Sequence, residues 1–247
     1  RGSRNNIIGF KAAYNDTNPS SNVILGYQAA MNTESNFSSV IIGHQAAQDN
    51  RINSSGIVIG TSTAQTTELL LHSIMLGEFA GGLCDTSEND VFIGDQAGLN
   101  LDYSYANILI GKAAGREMSR GSANVLIGGL TACHYSGTHG DMNTVIGYQA
   151  GYNLKGDKNV FIGYNAGGQE TGSNKLYIAN SNTKDPLIKG DFSTGKTTFN
   201  NLINLVGVSE YPSNSVEGDI IRLNDHETDN DGIYVYTGSI WQAISTW

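Results

Sequence analysis

Cations, prolines, cysteines and long apolar runs are all scarce in this chain. Only 14 Lys and Arg stand against 23 Asp and Glu, for a formal net charge of −9. A chain this acidic repels phosphate backbones, which argues against nucleic acid as a partner. No apolar run reaches the roughly 18 residues that a membrane-spanning helix needs. Hydrophobic residues are 39% of the 247, below the usual ~45–50%. Three prolines against 31 glycines suit many strands and turns better than one thick core. No signal peptide is visible. The chain opens Arg1-Gly2-Ser3-Arg4 without a methionine, as a fragment or processed piece would, so that absence carries no weight.

What the chain has instead is a repeat. Gly9, Gly26, Gly43, Gly60, Gly77, Gly94, Gly111, Gly128, Gly147 and Gly163 follow one another at seven intervals of 17 residues, then 19 and 16. Each closes an apolar run, as in Val91-Phe92-Ile93-Gly94. Self-similarity at a fixed period implies stacked units. A stack is a rod with a surface, which argues against a pocket enzyme.

Counted from the glycine, position −1 is always Ile or Leu, and −2 is always large and apolar. Position −3 is Val or Ile in eight of ten repeats. Such a run predicts a short buried strand, and its length excludes a helix. Position −4 is often Asn (Asn5, Asn22, Asn107, Asn124, Asn143, Asn159), which suits a corner and, stacked, an amide ladder. Glycine suits a corner where a Cβ would clash. Positions +3 and +4 are small, so backbone is expected to pack on backbone there. A degenerate coil ends at Ala179. The expected fold is therefore all-β: a parallel β-roll or β-solenoid of about eleven 17-residue coils over residues 1–180. At ~4.8 Å per coil it would be ~50 Å long. Cys84 and Cys133 lie about three coils apart, ~14 Å, too far for a disulfide.

Because −3, −2 and −1 are all apolar, both faces of the strand call for burial, yet the rest of each coil is polar. A core this thin rarely suffices alone. Several chains packing their strands around a common axis would solve the problem, and cyclic symmetry would close the assembly. A monomeric solenoid with larger internal packing is the alternative.

The pattern Asn-Val-x-Ile-Gly-x-x-Ala, seen at residues 159–166 and, with Leu25 and Thr144 as departures, at 22–29 and 143–150, resembles the heads of trimeric autotransporter adhesins. It also resembles the Gly-Tyr-x-Ala-Gly repeats of phage tail fibres. The resemblance implies a homotrimeric prism. No β-barrel anchor follows the repeats, which favours the tail-fibre type. Residues 181–206 are expected to form a β neck, and residues 207–247 a small β-hairpin or meander tip. The tip pattern, Gly-Asp, a strand, a polar turn, then Ile-Tyr-Val-Tyr-x-Gly-x-x-Trp, resembles a module near the ends of phage tail fibres. The function implied is host attachment by a virion tail fibre or an extracellular surface protein. The partners implied are itself, an upstream fibre or baseplate protein, and a host-surface glycan or protein. A bacterial trimeric adhesin and a fibre-borne glycan hydrolase are the alternatives.

Candidate receptor-binding residues are Tyr234, Tyr236, Trp241 and Trp247, which would otherwise pack the tip's own core. Position +1 runs Phe10, Tyr27, His44, Thr61, Glu78, Asp95, Lys112, Gly129, Tyr148 and Tyr164. That variety implies an outward column, in which Tyr148 and Tyr164 either bind glycans or are ordinary exposed aromatics. Glu227, Asp229, Asp231 and Gly232 partly match the start of an EF-hand loop but lack its distal Glu, so an acidic turn competes with calcium binding. His134, His139 and Asp141 form either a metal site or a surface loop with incidental histidines. No cofactor and no metal are expected. Glu34, Asp49, Glu68 and Asp85 are not expected to form the column of paired carboxylates that a glycan hydrolase needs.

Overall fold

The structure, a computed structural model, describes residues 3–133, 137, 138, 140–201, 203, 207, 208, 213–223 and 232–246. Among these residues there is no helix. Backbone contacts divide the chain into two units, Arg1–Asn200 and Asn201–Trp247.

The first unit is a parallel β-solenoid of about ten turns. The apolar runs form its first sheet, beginning Asn6–Ile8, Val23–Leu25 and Val40–Ile42 and continuing one strand per coil to Val160–Ile162. They pair in register, so Ile24 lies against Ile41, Ile41 against Val58, and Phe92 against Leu109. The −2 side chain points inward. Ile24, Ile41, Val58, Met75, Phe92, Leu109, Leu126, Val145 and Phe161 are all fully buried. The +3 alanines, among them Ala29, Ala46, Ala97 and Ala166, close the interior from the other side. One large side chain meets small ones in most layers, and Leu70, Leu101, Met118 and Leu154 add a second in others, which is how so narrow a coil reaches a close-packed interior.

The corner glycines have φ between +114° and +146°. A Cβ on Gly94 would sit 2.5 Å from the carbonyl oxygen of Gly111 in the next coil. Backbone curvature and axial stacking thus both demand glycine. Two or three further positions per coil take a left-handed backbone without it, as Gln28 (φ 55°), Ala30 (φ 52°) and Ser38 (φ 52°) show, the middle one being glycine in coils such as those of Gly81, Gly98 and Gly115. Each costs about 1–2 kcal/mol. The coil-to-coil hydrogen bonds offset that cost: Gln28 N donates to Phe10 O, Ala30 N to Ala46 O and Ser38 N to Ser20 O, all at 2.9 Å.

The sequence pattern implied one strand per coil, and the structure adds a second. Ser35–Phe37, Ile52–Ser54, Leu69–Leu71, Thr86–Glu88, Tyr103–Tyr105, Met118–Ser122 and Gly137–Thr138 pair in parallel as a second sheet. These strands escape a hydrophobic search because their inward residues are mostly small and polar: Asn36, Asn53, Ser87 and Ser104.

The −4 asparagines do form a ladder. Asn107 Oδ1 accepts from Asn124 N at 3.0 Å and Asn124 Nδ2 at 3.1 Å, and Asn124 Oδ1 does the same for Asn143. The amide Nδ2 of Asn22 reaches Asn36 O, and that of Asn107 reaches Gly121 O, both at 2.8 Å. Asp90 occupies one rung. Its Oδ2 accepts from Ser87 Oγ, Ser104 Oγ and Glu88 N at 2.7, 2.6 and 3.1 Å, and its Oδ1 accepts from Asn107 N at 2.7 Å. Burial pushes its carboxyl above the ordinary value, against these bonds, which pull it down.

At the far end Lys175–Ile178 continues the parallel pairing, and Ile188–Asp191 and Lys196–Phe199 then add on antiparallel. Much of the segment expected as a neck is therefore an extension of the first sheet. Lys175 Nζ bonds Asp191 Oδ2 at 2.7 Å, and with Ser193 it holds the Asp191 carboxyl well below the usual range. In the second unit, Ile220–Leu223, Gly232–Tyr236 and Trp241–Thr246 pair antiparallel in sequence order, and Gly207–Val208 lies parallel to the first of them.

Gly94→Ala is expected to destabilise the first unit by more than about 3 kcal/mol in chemical unfolding, because strain and a backbone clash coincide. At Asp90 the folded-state carboxyl lies above its unfolded value near 3.8, so ionising it costs stability as pH rises through the folded value. In Asp90→Asn the new amide donor would find Ser104 O, as the other rungs do. The variant should melt above the parent at pH 7, and the gap should close toward pH 4. A variant melting below the parent at pH 7 would mean that the hydrogen bonds outweigh burial.

Candidate functional site

The solenoid presents two sheet faces of different chemistry. On the first sheet, −3 and −1 point outward: Val23 and Leu25, Ile57 and Ile59, Val91 and Ile93, Ile108 and Ile110, Val125 and Ile127, and so on. From Val23 to Ile162 every such residue is aliphatic except Thr144. Ile59 is 36% exposed, Ile108 38% and Ile146 38%. The sequence expectation that both strand faces call for burial is met on the inner face only. The outer row forms an aliphatic stripe ~40 Å long, and soluble monomers rarely leave such patches open.

The second-sheet face was not legible from the repeat. Its outward residues change from coil to coil: Phe37, then Ile52, Leu69 and Leu71, then Thr86 and Glu88, then Tyr103 and Tyr105, then Arg120 and Ser122. Tyr103 and Tyr105 are 53% and 52% exposed, with Ser104 buried between them. The Arg120 guanidinium carbon lies 5.1 Å from the centre of the Tyr103 ring. Alternation in Tyr103-Ser104-Tyr105 was the one available signal of a half-buried strand.

A correction concerns the carboxylates. The strands Leu69–Leu71, Thr86–Glu88 and Tyr103–Tyr105 stack in register. Glu68, Asp85 and Asp102 each directly precede one of them, and Leu69 N donates to Asp85 O at 3.0 Å and Thr86 N to Asp102 O at 2.8 Å. These three acids therefore do form a column on adjacent coils, beside the tyrosine pair. A spacing of 17 residues between acids was the signal, and Asp49, which lies on another column, obscured it.

The +1 column is outward, as expected. Tyr148 and Tyr164 stack with ring centres 6.0 Å apart and planes 8° from parallel. Phe10, Tyr27 and His44 form a similar stack at 5.6 and 5.2 Å. Ring faces in these stacks cover one another, so mainly their edges meet solvent. Lys112 and Asp95 form an ion pair at 3.0 Å in the same column.

In the second unit Tyr234 is 6% exposed and belongs to the packing of the small sheet. Tyr236 and Trp241 lie 5.3 Å apart, ring to ring, across the strand pair. Trp247 lies outside the described residues, as do the acidic segment with Glu227, Asp229 and Asp231 and both His134 and His139. Asp141 is described. Its Oδ1 accepts from Ser122 N at 2.8 Å, a structural role. Among the described residues, no group of three His, Cys, Asp or Glu is placed to hold a metal ion.

Cys84 and Cys133 are free and buried. Burial pushes both thiols up, Cys133 to about 11, so neither is a ready nucleophile. A cleft of about 390 Å³ beside Tyr177 is lined by Glu170, Lys184 and Lys189. Its polar groups satisfy one another: Tyr177 Oη donates to Glu170 Oε2 at 2.9 Å, and Lys189 Nζ donates to Lys184 O at 3.2 Å. Burial, then the Glu170 hydrogen bond, pushes the Tyr177 hydroxyl up to about 12.

Comparison with protein-family models, with curated proteins and with solved structures finds no match for this chain.

Proposed function

We propose that this chain is the distal part of a homotrimeric fibre that attaches a phage or phage-like particle to a bacterial host surface, without catalysis. The aliphatic outer face of the first sheet is the observation that supports it. Three copies with these faces turned to a common axis remove the stripe from water, and the symmetry closes the assembly at three. Each partly exposed side chain so covered contributes about 0.5–1 kcal/mol, repeated coil after coil. A rod of this kind holds its outward columns at fixed spacing, which suits an extracellular attachment protein joined to an upstream fibre or baseplate protein. Its partner on the host would be a surface glycan or protein.

A bacterial trimeric adhesin built from the same coils would use the same interface, and neighbouring genes for tail proteins would separate the two. The column of Glu68, Asp85 and Asp102 favours a second reading, a fibre-borne glycan hydrolase. Two of these acids stand exposed on an open face, where water screens them and nothing encloses a reacting sugar. Loss of polysaccharide on incubation with the protein would support that reading.

Light scattering should give a native mass near three times 26.3 kDa. Ile110→Asp with Ile127→Asp, both outward on the first sheet, should reduce it to the monomer mass while the β signature in circular dichroism persists. A monomeric parent chain would overturn the shared-axis prism.

A further inference from the structure

We propose that the outer face of the second sheet around Tyr103 and Tyr105 is a binding platform for a neutral or amino-sugar polysaccharide. The proposal rests on the attachment function above and names its receptor class. It concerns a face that the glycine repeat does not reveal.

The two tyrosines sit at alternate positions of one strand, so both rings leave the same face of the sheet, ~7 Å apart. Both are about half exposed. Register gives each ring its neighbours: Thr86 and Arg120 flank Tyr103, and Glu88 and Ser122 flank Tyr105. Every in-register neighbour of the pair is thus a hydrogen-bonding group: a hydroxyl and a guanidinium, then a carboxylate and a hydroxyl.

That pattern is the opposite of the first sheet's outer face, where aliphatic stands beside aliphatic. A dry protein interface is built around anchors that neighbouring contacts seal from water. Here the anchors are ringed by donors and acceptors that keep their own water. A pyranose matches this layout. The Arg120 guanidinium takes one face of Tyr103, which leaves that ring's other face and the Tyr105 ring to the positive C–H hydrogens of a sugar. The sugar's rim of hydroxyls can donate to Glu88 and accept from Arg120, as charge-assisted hydrogen bonds.

Charge narrows the class. Glu68, Asp85 and Asp102 run along the edge of the platform, and Glu88 lies on it. Arg120 is the cation on the Tyr103 ring. Within a Debye length of ~8–10 Å this field repels carboxylated or sulfated chains and favours neutral or cationic ones.

The test is electrophoresis of the intact protein in native gels cast with galactomannan, glucomannan, glycol chitosan or alginate. Retardation is expected in at least one of the first three and not in alginate. Tyr103→Ala with Tyr105→Ala should weaken it at least tenfold, with an unchanged melting temperature. Tyr103→Phe with Tyr105→Phe, which keeps both rings, should retain most of it. Equal retardation of the parent and the alanine variant would overturn the platform, as would no retardation in any neutral or amino-sugar gel. Alanine-variant trimers that still attach to host cells as well as the parent does would overturn the platform and leave the attachment function standing. A parent trimer retarded in the gels that attaches to no cell would do the reverse.

Discussion

Everything in the first unit depends on backbone meeting backbone at the glycine corner. Each corner glycine lies so close to the next coil's corner carbonyl that a single Cβ would collide with it. That approach sets the axial spacing and lines up the strands on either side of the corner. In-register strands then place like residues on like residues, which turns a sequence repeat into columns. The columns are the protein's real structural units: an apolar core, an asparagine ladder, an aliphatic outer stripe and a variable outward row.

The ladder and the strained corners balance each other. Left-handed backbone at two or three non-glycine positions per coil is unfavourable residue by residue, and no isolated coil could hold it. Stacking supplies partners for the N–H groups of those corners, and the buried amides supply more. Asp90 is instructive because it breaks the pattern in composition but not in geometry. It keeps the acceptor that the next rung needs, and serines from two second-sheet strands donate to its other oxygen. The coil has so little apolar interior that these polar contacts take over part of what a hydrophobic core does elsewhere.

A thin coil also leaves its outer surfaces as the place where the columns differ in chemistry. With one or two large side chains filling each layer, the coil interior is packed among the described residues. What remains is the choice of what each outward column carries. The first sheet keeps its outward column aliphatic along nearly its whole length, as a face meant for another copy would be. The second sheet varies its column coil by coil, as a face meant for a ligand can, and its aromatic pair lies among charged and hydroxyl groups.

The sequence by itself determined the repeat, the strand ending at glycine, the asparagine corner and the inward −2 column, because each recurs at the same place in most or all coils and needs only local chemistry to be read. It also pointed to the unusual outer face, since three successive apolar residues cannot all point inward. The second strand was decided only by tertiary structure. Asn36, Ser87 and Ser104 look like loop residues until the neighbouring coils supply their hydrogen bonds. The same holds for the acidic column and for the tyrosine pair with Arg120, whose members come from different coils and become neighbours only through register. Periodicity is a property of one chain segment after another; adjacency across coils exists only once they stack.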